Sequence, residues 1–170
     1  MNQKIKAVLG FLVSGAVLTA IDQWTKSLAV AGLKGKEPFV IWKDVFELLY
    51  SENRGAAFGV LQGKHGFFFL VAACVFVAAL YVTWKLPDEK KFVPLRICVT
   101  LITAGAAGNL IDRVLYGYVI DFIEPTFMQF AVFNIADCAV TCGGISFVLW
   151  LAVDLFRSGD GKKGTAHDGK

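Results

Sequence analysis

Four stretches of the chain are strongly apolar and long enough to cross a bilayer as α-helices. They lie at about 7–25, 67–84, 96–114 and 134–156, and a spanning helix needs roughly 20 mainly apolar residues. The pattern predicts an all-α membrane protein with four transmembrane helices, which form a single polytopic domain over residues 1–157.

The segments that join these spans differ in character. Between the first and second spans, Phe39, Ile41 and Val45 alternate with other residues, a spacing typical of short strands. We therefore expect a small β-rich element at the extracytoplasmic membrane surface. The aromatic segment 122–130 is expected to form a loop or helix near the same surface. The Gly-rich polar tail 158–170 is expected to be a disordered cytoplasmic segment.

The first span has the basic start and apolar core of a secretory signal peptide. It would then be either cleaved or retained as an anchor. Retention is favoured because the apolar run leads directly into Asp22 without a small-x-small cleavage site. At this end of the span, Trp24 is expected at the membrane interface and Lys26 among the headgroups. Asp22 would be either solvated or directed inward.

Composition supports a membrane location and excludes several other classes. The chain is 56% hydrophobic and 18% charged, with a mean hydropathy of +0.59, which is too apolar for an ordinary soluble domain. The net charge of +3 is spread over loops and tails, which argues against nucleic-acid binding and favours contact with lipid headgroups. The four cysteines lie inside apolar runs, so neither a disulfide framework nor a metal site is expected at them.

The distribution of basic residues predicts the orientation. Four spans place both termini and the second loop on one side of the membrane. Short basic segments lie near Lys4, Lys90 and Arg157, so the positive-inside rule makes that side cytoplasmic. The first loop is also basic, but acidic residues are interleaved in it. The sequence thus predicts cytoplasmic termini, with the first and third loops outside.

Polar residues gather at the extracytoplasmic ends of the spans under this topology. Charged and amide side chains that enter apolar segments are costly and indicate a functional site. On their helices Asn109 and Asp112, and again Asn134 and Asp137, are three positions apart and share a face. One polar pocket is predicted to collect Asp22, Asn53, Asn109, Asp112, Arg113, Asp121, Asn134 and Asp137.

Two of these carboxylates have the relation that acid–base hydrolysis requires. Asp121 and Asp137 lie at opposite ends of one predicted loop. Two carboxylates in a partly dry site share one proton, which leaves a base to activate water and an acid to polarise a carbonyl. This is the arrangement of aspartic proteases, and the separation of the two residues in sequence allows it.

Other functions remain open on the residues alone. A proton-coupled transporter would use a carboxylate as its carrier, although such acids usually lie near the bilayer midplane. A Mg²⁺-dependent hydrolase acting on a lipid phosphate would use Asp112, Asp121 and Asp137 as ligands. A purely structural protein would use the polar residues for helix packing.

Five motifs in order resemble those of the lipoprotein signal peptidase (signal peptidase II) family, an aspartic membrane peptidase family. They cover nearly the whole chain apart from the tail. They are Asp22, Asn53-Arg54-Gly55-Ala56-Ala57-Phe58-Gly59, Gly108-Asn109-Leu110-Ile111-Asp112-Arg113, Val119-Ile120-Asp121-Phe122 and Phe133-Asn134-Ile135-Ala136-Asp137.

The resemblance implies an aspartic endopeptidase of the bacterial inner membrane, without a cofactor or metal. It would remove the signal peptide from diacylglyceryl-modified prolipoproteins, cutting before the lipidated cysteine, and a monomer is expected. Asp121 and Asp137 would be the catalytic dyad. The residues implied to orient the dyad or bind substrate are Asn53, Gly55, Asn109, Arg113 and Asn134. The implied supporting residues are Asp22, Lys26, Gly108, Asp112 and Ala136.

Overall fold

Four long helices and a small antiparallel sheet make up the fold. A computed structural model describes residues 2–55 and 65–164. Its helices are α1 (Gln3–Leu33), α2 (His65–Lys85), α3 (Val93–Tyr116) and α4 (Ile135–Gly164), and its strands are β1 (Phe39–Trp42), β2 (Phe46–Asn53) and β3 (Val119–Pro125). All four helices are long and apolar enough to cross a membrane. The chain is a multi-pass membrane protein, as predicted.

Two helices extend well beyond their predicted spans. Helix α1 covers Gln3–Leu33 rather than 7–25. It passes through its polar stretch because Asp22 and Lys26 are paired inside the bundle. Helix α4 continues to Gly164, so residues 158–164 of the tail are helical rather than disordered; an established helix extends into polar sequence at little cost. Residues 165–170 lie outside the described residues.

Helix α3 lies at the centre of the bundle. Its most apolar window is 39% buried, against 6–11% for the other three helices, whose outer faces are therefore available to lipid. Glycines let α4 approach it closely. A Cβ on Gly105 would overlap the carbonyl oxygen of Ala136, and one on Gly143 would lie 2.9 Å from Ile102 Cγ1. Small residues at these two positions permit the close helix packing, whereas a Cβ on Gly144 would meet no atom of the described residues within 4 Å.

The sheet has the order β1-β2-β3, with antiparallel neighbours. Strands β1 and β2 form a hairpin whose turn holds Asp44 at φ 61°, a conformation that Asp tolerates better than most residues. The second half of β3, residues 122–125, comes from the segment expected to be a loop or helix. Strand β3 pairs along β2 from Asn53 opposite Val119 to Phe46 opposite Pro125. Pairing satisfies backbone groups that a loop at the membrane surface would leave free.

A short path from α3 to α4 creates the candidate site. Gly117, at φ 79°, ends α3 in the left-handed conformation, and β3 follows at once. Phe133 then pairs with β3, because its oxygen accepts from the backbone N–H groups of Phe122 and Ile123 at 3.0 and 2.9 Å. This pairing places the first residues of α4 beside the middle of β3.

Candidate active site

A cavity of about 630 Å³ lies at the sheet end of the bundle. Its walls are apolar and come from α2, α3 and α4, while its polar end is formed by side chains from the sheet and the helix ends. Representative lining residues are Val71, Ala106 and Val140 on the walls and Asn53, Asp121 and Asp137 at the polar end. The cavity has the size and mixed lining typical of a site for an apolar ligand with a few polar groups.

Asp121 reaches the cavity from the middle of β3 and is 2% exposed. Asn53 Nδ2 donates to its Oδ2 at 2.9 Å, and Asn134 Nδ2 donates to its Oδ1 at 2.6 Å. Burial raises the pKa of Asp121 from 3.8 to about 6, against the hydrogen bond from Asn53, and the charge of Asp137 adds to the increase. This carboxyl group is suited to carry a proton near neutral pH.

Asp137 lies in the first turn of α4, where it completes a reciprocal helix cap. Asn134 Oδ1 accepts from the backbone N–H of Asp137 at 3.0 Å, and Asp137 Oδ2 accepts from the backbone N–H of Asn134 at 3.2 Å. This is the capping box, here built from Asn and Asp. The helix N-terminus also favours a negative charge at this position. The cap fixes Asp137 with one oxygen directed at α3.

Asn109 on α3 links the two halves of the site. Its Nδ2 donates to Asp137 Oδ1 at 2.7 Å, while its Oδ1 accepts from Asn134 Nδ2 at 3.1 Å. Asn134, with no exposed surface, also donates to Asp121. The two asparagines therefore join both carboxylates in one hydrogen-bonded chain.

Arg113 closes the polar end of the cavity. Its two terminal nitrogens donate to the carbonyl oxygens of Asn109 at 3.1 Å and Gly55 at 2.9 Å, and its guanidinium lies 4.2 Å from the ring centre of Phe68. The arginine thus connects α3 to the end of β2 and to α2. The sequence did not single out Phe68. Residues 56–59 of the predicted Asn53–Gly59 turn lie outside the described residues.

A buried ion cluster lies behind the cavity wall. Lys26 Nζ is 2.9 Å from Asp22 Oδ2 and 2.9 Å from Asp112 Oδ2, and all three side chains are at most 2% exposed. The expectation that Lys26 lies among the headgroups is wrong. Since α1 continues to Leu33, Lys26 is inside the helix, and two carboxylates compensate its charge. Asp22 is directed inward, and its Oδ1 accepts from Ala136 N at 2.9 Å.

Two further contacts complete this cluster. Gln23 Nε2 donates to Asp112 Oδ1 at 2.8 Å and to the carbonyl oxygen of Gly108 at 3.1 Å. Gly108 is needed because a Cβ there would overlap the Asp22 carboxylate. Gln23 was not among the residues predicted to form the site. Its position beside Asp22 at the end of an apolar span was the available signal.

The sequence-predicted residues therefore fall into two groups. Asn53, Asn109, Arg113, Asp121 and Asp137 line the cavity. Behind that lining are Asn134 and Gly55, which bond to cavity residues, and the cluster of Asp22, Lys26, Gly108, Asp112 and Ala136.

Comparisons with known proteins were made with the sequence and with the structure. Residues 14–153 match the family model described as signal peptidase (SPase) II. The chain is 36% identical to the lipoprotein signal peptidase of Enterococcus faecalis, over 93% of this chain and 96% of the relative. It is 42% identical to that of Caldanaerobacter subterraneus, over 79% and 90%.

The structure is similar to a bacterial membrane enzyme solved by the in meso method at 2.3 Å resolution. The TM-score is 0.76 at 33% sequence identity, over 86% of this chain and 89% of the other. A second bacterial membrane enzyme, solved at 1.9 Å, gives 0.73 at 33% identity, over 84% and 92%. Because the family model matches residues 14–153, which are most of this chain, the chain belongs to the signal peptidase II family.

Proposed function

We propose that this protein is an aspartic endopeptidase that removes the signal peptide from diacylglyceryl-modified bacterial prolipoproteins, cutting before the lipidated cysteine. Family membership supports a peptidase acting on prolipoprotein signal peptides. The observation that carries the aspartic mechanism is the placement of Asp121 and Asp137 at the polar end of one apolar cavity, joined through Asn134.

The two carboxyl groups differ in a way that assigns their starting roles. Burial raises the pKa of Asp121 to about 6, so it keeps its proton to a higher pH than an exposed aspartate does. Asp137 accepts hydrogen bonds from Asn109 and from the backbone of Asn134, and it lies at a helix N-terminus, which Asp121 does not, so we assign it the ionised state. Asp121 then polarises the scissile carbonyl as an acid, and Asp137 activates water as a base.

The bond changes follow from these roles. Asp137 takes a proton from water as the water oxygen bonds to the carbonyl carbon, and Asp121 gives its proton to the carbonyl oxygen. The resulting diol collapses when the C–N bond breaks. The proton on Asp137 passes to the leaving nitrogen, and a hydroxyl proton returns to Asp121. The products are a signal peptide with a new carboxyl group and a lipoprotein with a free amine on its lipidated cysteine.

The remainder of the cavity suits such a substrate. Its apolar walls come from spanning helices, so acyl chains and an apolar signal helix would find apolar contacts there. Cleavage next to a lipid anchor must take place at membrane depth, which agrees with acids placed at helix ends. We place the protein in the bacterial inner membrane as a monomer with cytoplasmic termini.

The topology of the bundle supports that orientation. Lys4 lies 5.6 Å from the Trp84 ring and Phe92 lies 6.2 Å from Trp150, so the basic helix ends meet on one side, away from the sheet. The site then faces the extracytoplasmic side.

The rival readings fit the geometry less well. Asp112, which the magnesium hydrolase would need as a ligand, directs its oxygens at Lys26, Gln23 and the backbone N–H of Ile120 and does not line the cavity. A transporter would place its carrier acid near mid-membrane, whereas Asp137 is in the first turn of α4.

The direct test is cleavage of a diacylglyceryl-modified prolipoprotein by the purified protein in detergent, with and without EDTA. Mass spectrometry of the products locates the cut. We expect a single cut before the lipidated cysteine at an unchanged rate in EDTA. Loss of activity in EDTA would support the metal reading, and no cleavage by folded protein would support the transporter.

A further inference from the structure

Among the described residues, helix α1 contributes none to the cavity lining. Its one buried basic residue among them, Lys26, nevertheless contacts Asn109, which in turn contacts Asp137 of the proposed dyad. Lys26 is 1% exposed. Its ammonium is 2.9 Å from each of three oxygens, on Asp22, Asp112 and Asn109. An ammonium has three N–H donors and no acceptor. All three donors are therefore used, and one of them is used on a residue that touches the dyad.

The contact with Asn109 determines which way that amide faces. Asn109 Oδ1 accepts from Lys26 and from Asn134 Nδ2, while its Nδ2 donates to Asp137 Oδ1. Turning the amide over would place its NH₂ against the ammonium and its oxygen against the Asp137 carboxylate. Both contacts would then pair groups of like polarity. Only the observed orientation satisfies Lys26 and Asp137 together.

The carboxylates around Lys26 hold its ammonium in place. Asp22 is one turn away on α1, and Asp112 is on α3, three residues from Asn109. Asp22 Oδ1 accepts from the backbone N–H of Ala136, and Asp112 Oδ2, which also faces Lys26, accepts from the backbone N–H of Ile120. Ala136 adjoins Asp137, and Ile120 adjoins Asp121. The cluster is thus fixed to the same two segments that carry the dyad.

We propose that Lys26 is a positioning residue for peptide cleavage, whose ammonium fixes the Asn109 amide so that it donates to Asp137. This inference rests on the proposed aspartic mechanism and gives α1 a part in it. A purely structural lysine would affect folding but would have no specific coupling to Asn109. The coupling is the property to measure.

The experiment is a double-mutant cycle on turnover, with Lys26→Met, Asn109→Ala and the double variant. Lys26→Met should lower kcat by about 10- to 100-fold, the equivalent of one hydrogen bond to a charged group, with KM within about twofold because Lys26 does not line the cavity. In the Asn109→Ala background the same change should have almost no further effect. Lys36→Met, at an exposed lysine beyond the end of α1, is the matched control and should match wild type.

Lys26→Met leaves two buried carboxylates without a cation and can fail to fold. In that case the change is made together with Asp112→Asn, which gives the double variant the wild-type net charge of the cluster, and its turnover is compared with that of Asp112→Asn alone. Wild-type kcat, an equal loss in both Asn109 backgrounds, or a loss confined to KM would overturn the proposal. So would undetectable turnover by Asn109→Ala, because one orienting hydrogen bond accounts for no more than about 100-fold.

These outcomes are distinct from failure of the proposed function. If Asp121→Asn or Asp137→Asn keeps wild-type turnover, the aspartic mechanism itself fails. If both are inactive but the Lys26 and Asn109 effects multiply, only the positioning role fails.

Discussion

Asn134 serves two purposes that a pair of substitutions separates. Its Oδ1 caps α4 by accepting from Asp137 N at 3.0 Å. Its Nδ2 lies 2.6 Å from Asp121 Oδ1, 3.1 Å from Asn109 Oδ1 and 3.3 Å from Ile120 O. Serine is as good a helix cap as asparagine but is too short to supply the amide donors. Alanine supplies neither.

The magnitudes follow from these contacts. Asn134→Ser removes the donor to Asp121, a change of about 1.5–3 kcal/mol for a hydrogen bond to a charged group, so we expect turnover to fall by about 10- to 100-fold. Asn134→Ala should lose a similar factor in turnover and a further ~1 kcal/mol of stability from the cap. For a protein of this size that difference corresponds to about 2–4 °C in Tm.

The assay is cleavage of a lipidated prolipoprotein beside thermal unfolding in the same detergent. Wild-type turnover by Asn134→Ser would refute the claim that Asn134 orients Asp121. Equal Tm values for the serine and alanine variants would refute the cap.

Three more predictions concern other parts of the site. Burial raises the pKa of Asp121 from 3.8 to about 6, so folding favours its protonated form. The stability that this proton contributes is full below about pH 4 and is lost between about pH 4 and 6. The Tm of the wild type should therefore fall relative to that of Asp121→Asn over that window, and a constant difference in Tm would contradict this prediction. Gly108→Ala should cost about 1–3 kcal/mol by overlap with Asp22, whereas Gly144→Ala, with nothing within 4 Å, should be near neutral in the same unfolding assay. In Arg113→Lys the charge is kept, but a lysine cannot bond to the carbonyl oxygens of Asn109 and Gly55 together while stacking on Phe68. We therefore expect kcat/KM to fall at least about tenfold. Wild-type kinetics would show that the positive charge alone is sufficient.

Much of this architecture follows from local sequence properties. Span positions depend on continuous apolar length, which hydropathy reads directly. Residues on one helix turn, such as Asn109 with Asp112 and Asn134 with Asp137, are neighbours by geometry, so their approach was predictable. Successive spans cross the membrane in opposite directions, so the first and third loops lie on the same side, and this predicted that the acids gather at one end of the bundle.

Other features depend on partners that are distant in the chain. Lys26 was expected among headgroups because its partner Asp112 lies 86 positions further along the chain, and the residues near Lys26 do not indicate that pairing. The second half of strand β3 was expected to be a loop or helix because its pairing partner β2 lies across two helices. Helix α1 was predicted too short for the same reason, since its polar end is tolerated only once α3 satisfies it.

We propose that Asp121 and Asp137 together cleave the substrate. The most direct test is single-turnover cleavage of a diacylglyceryl-modified prolipoprotein by Asp121→Asn and Asp137→Asn. The matched controls are Asp44→Asn in the β1–β2 turn, where asparagine also tolerates positive φ, and Asp154→Asn on the exposed face of α4. We predict folded, inserted and inactive dyad variants beside fully active controls. Near-wild-type cleavage by either dyad variant would contradict the account.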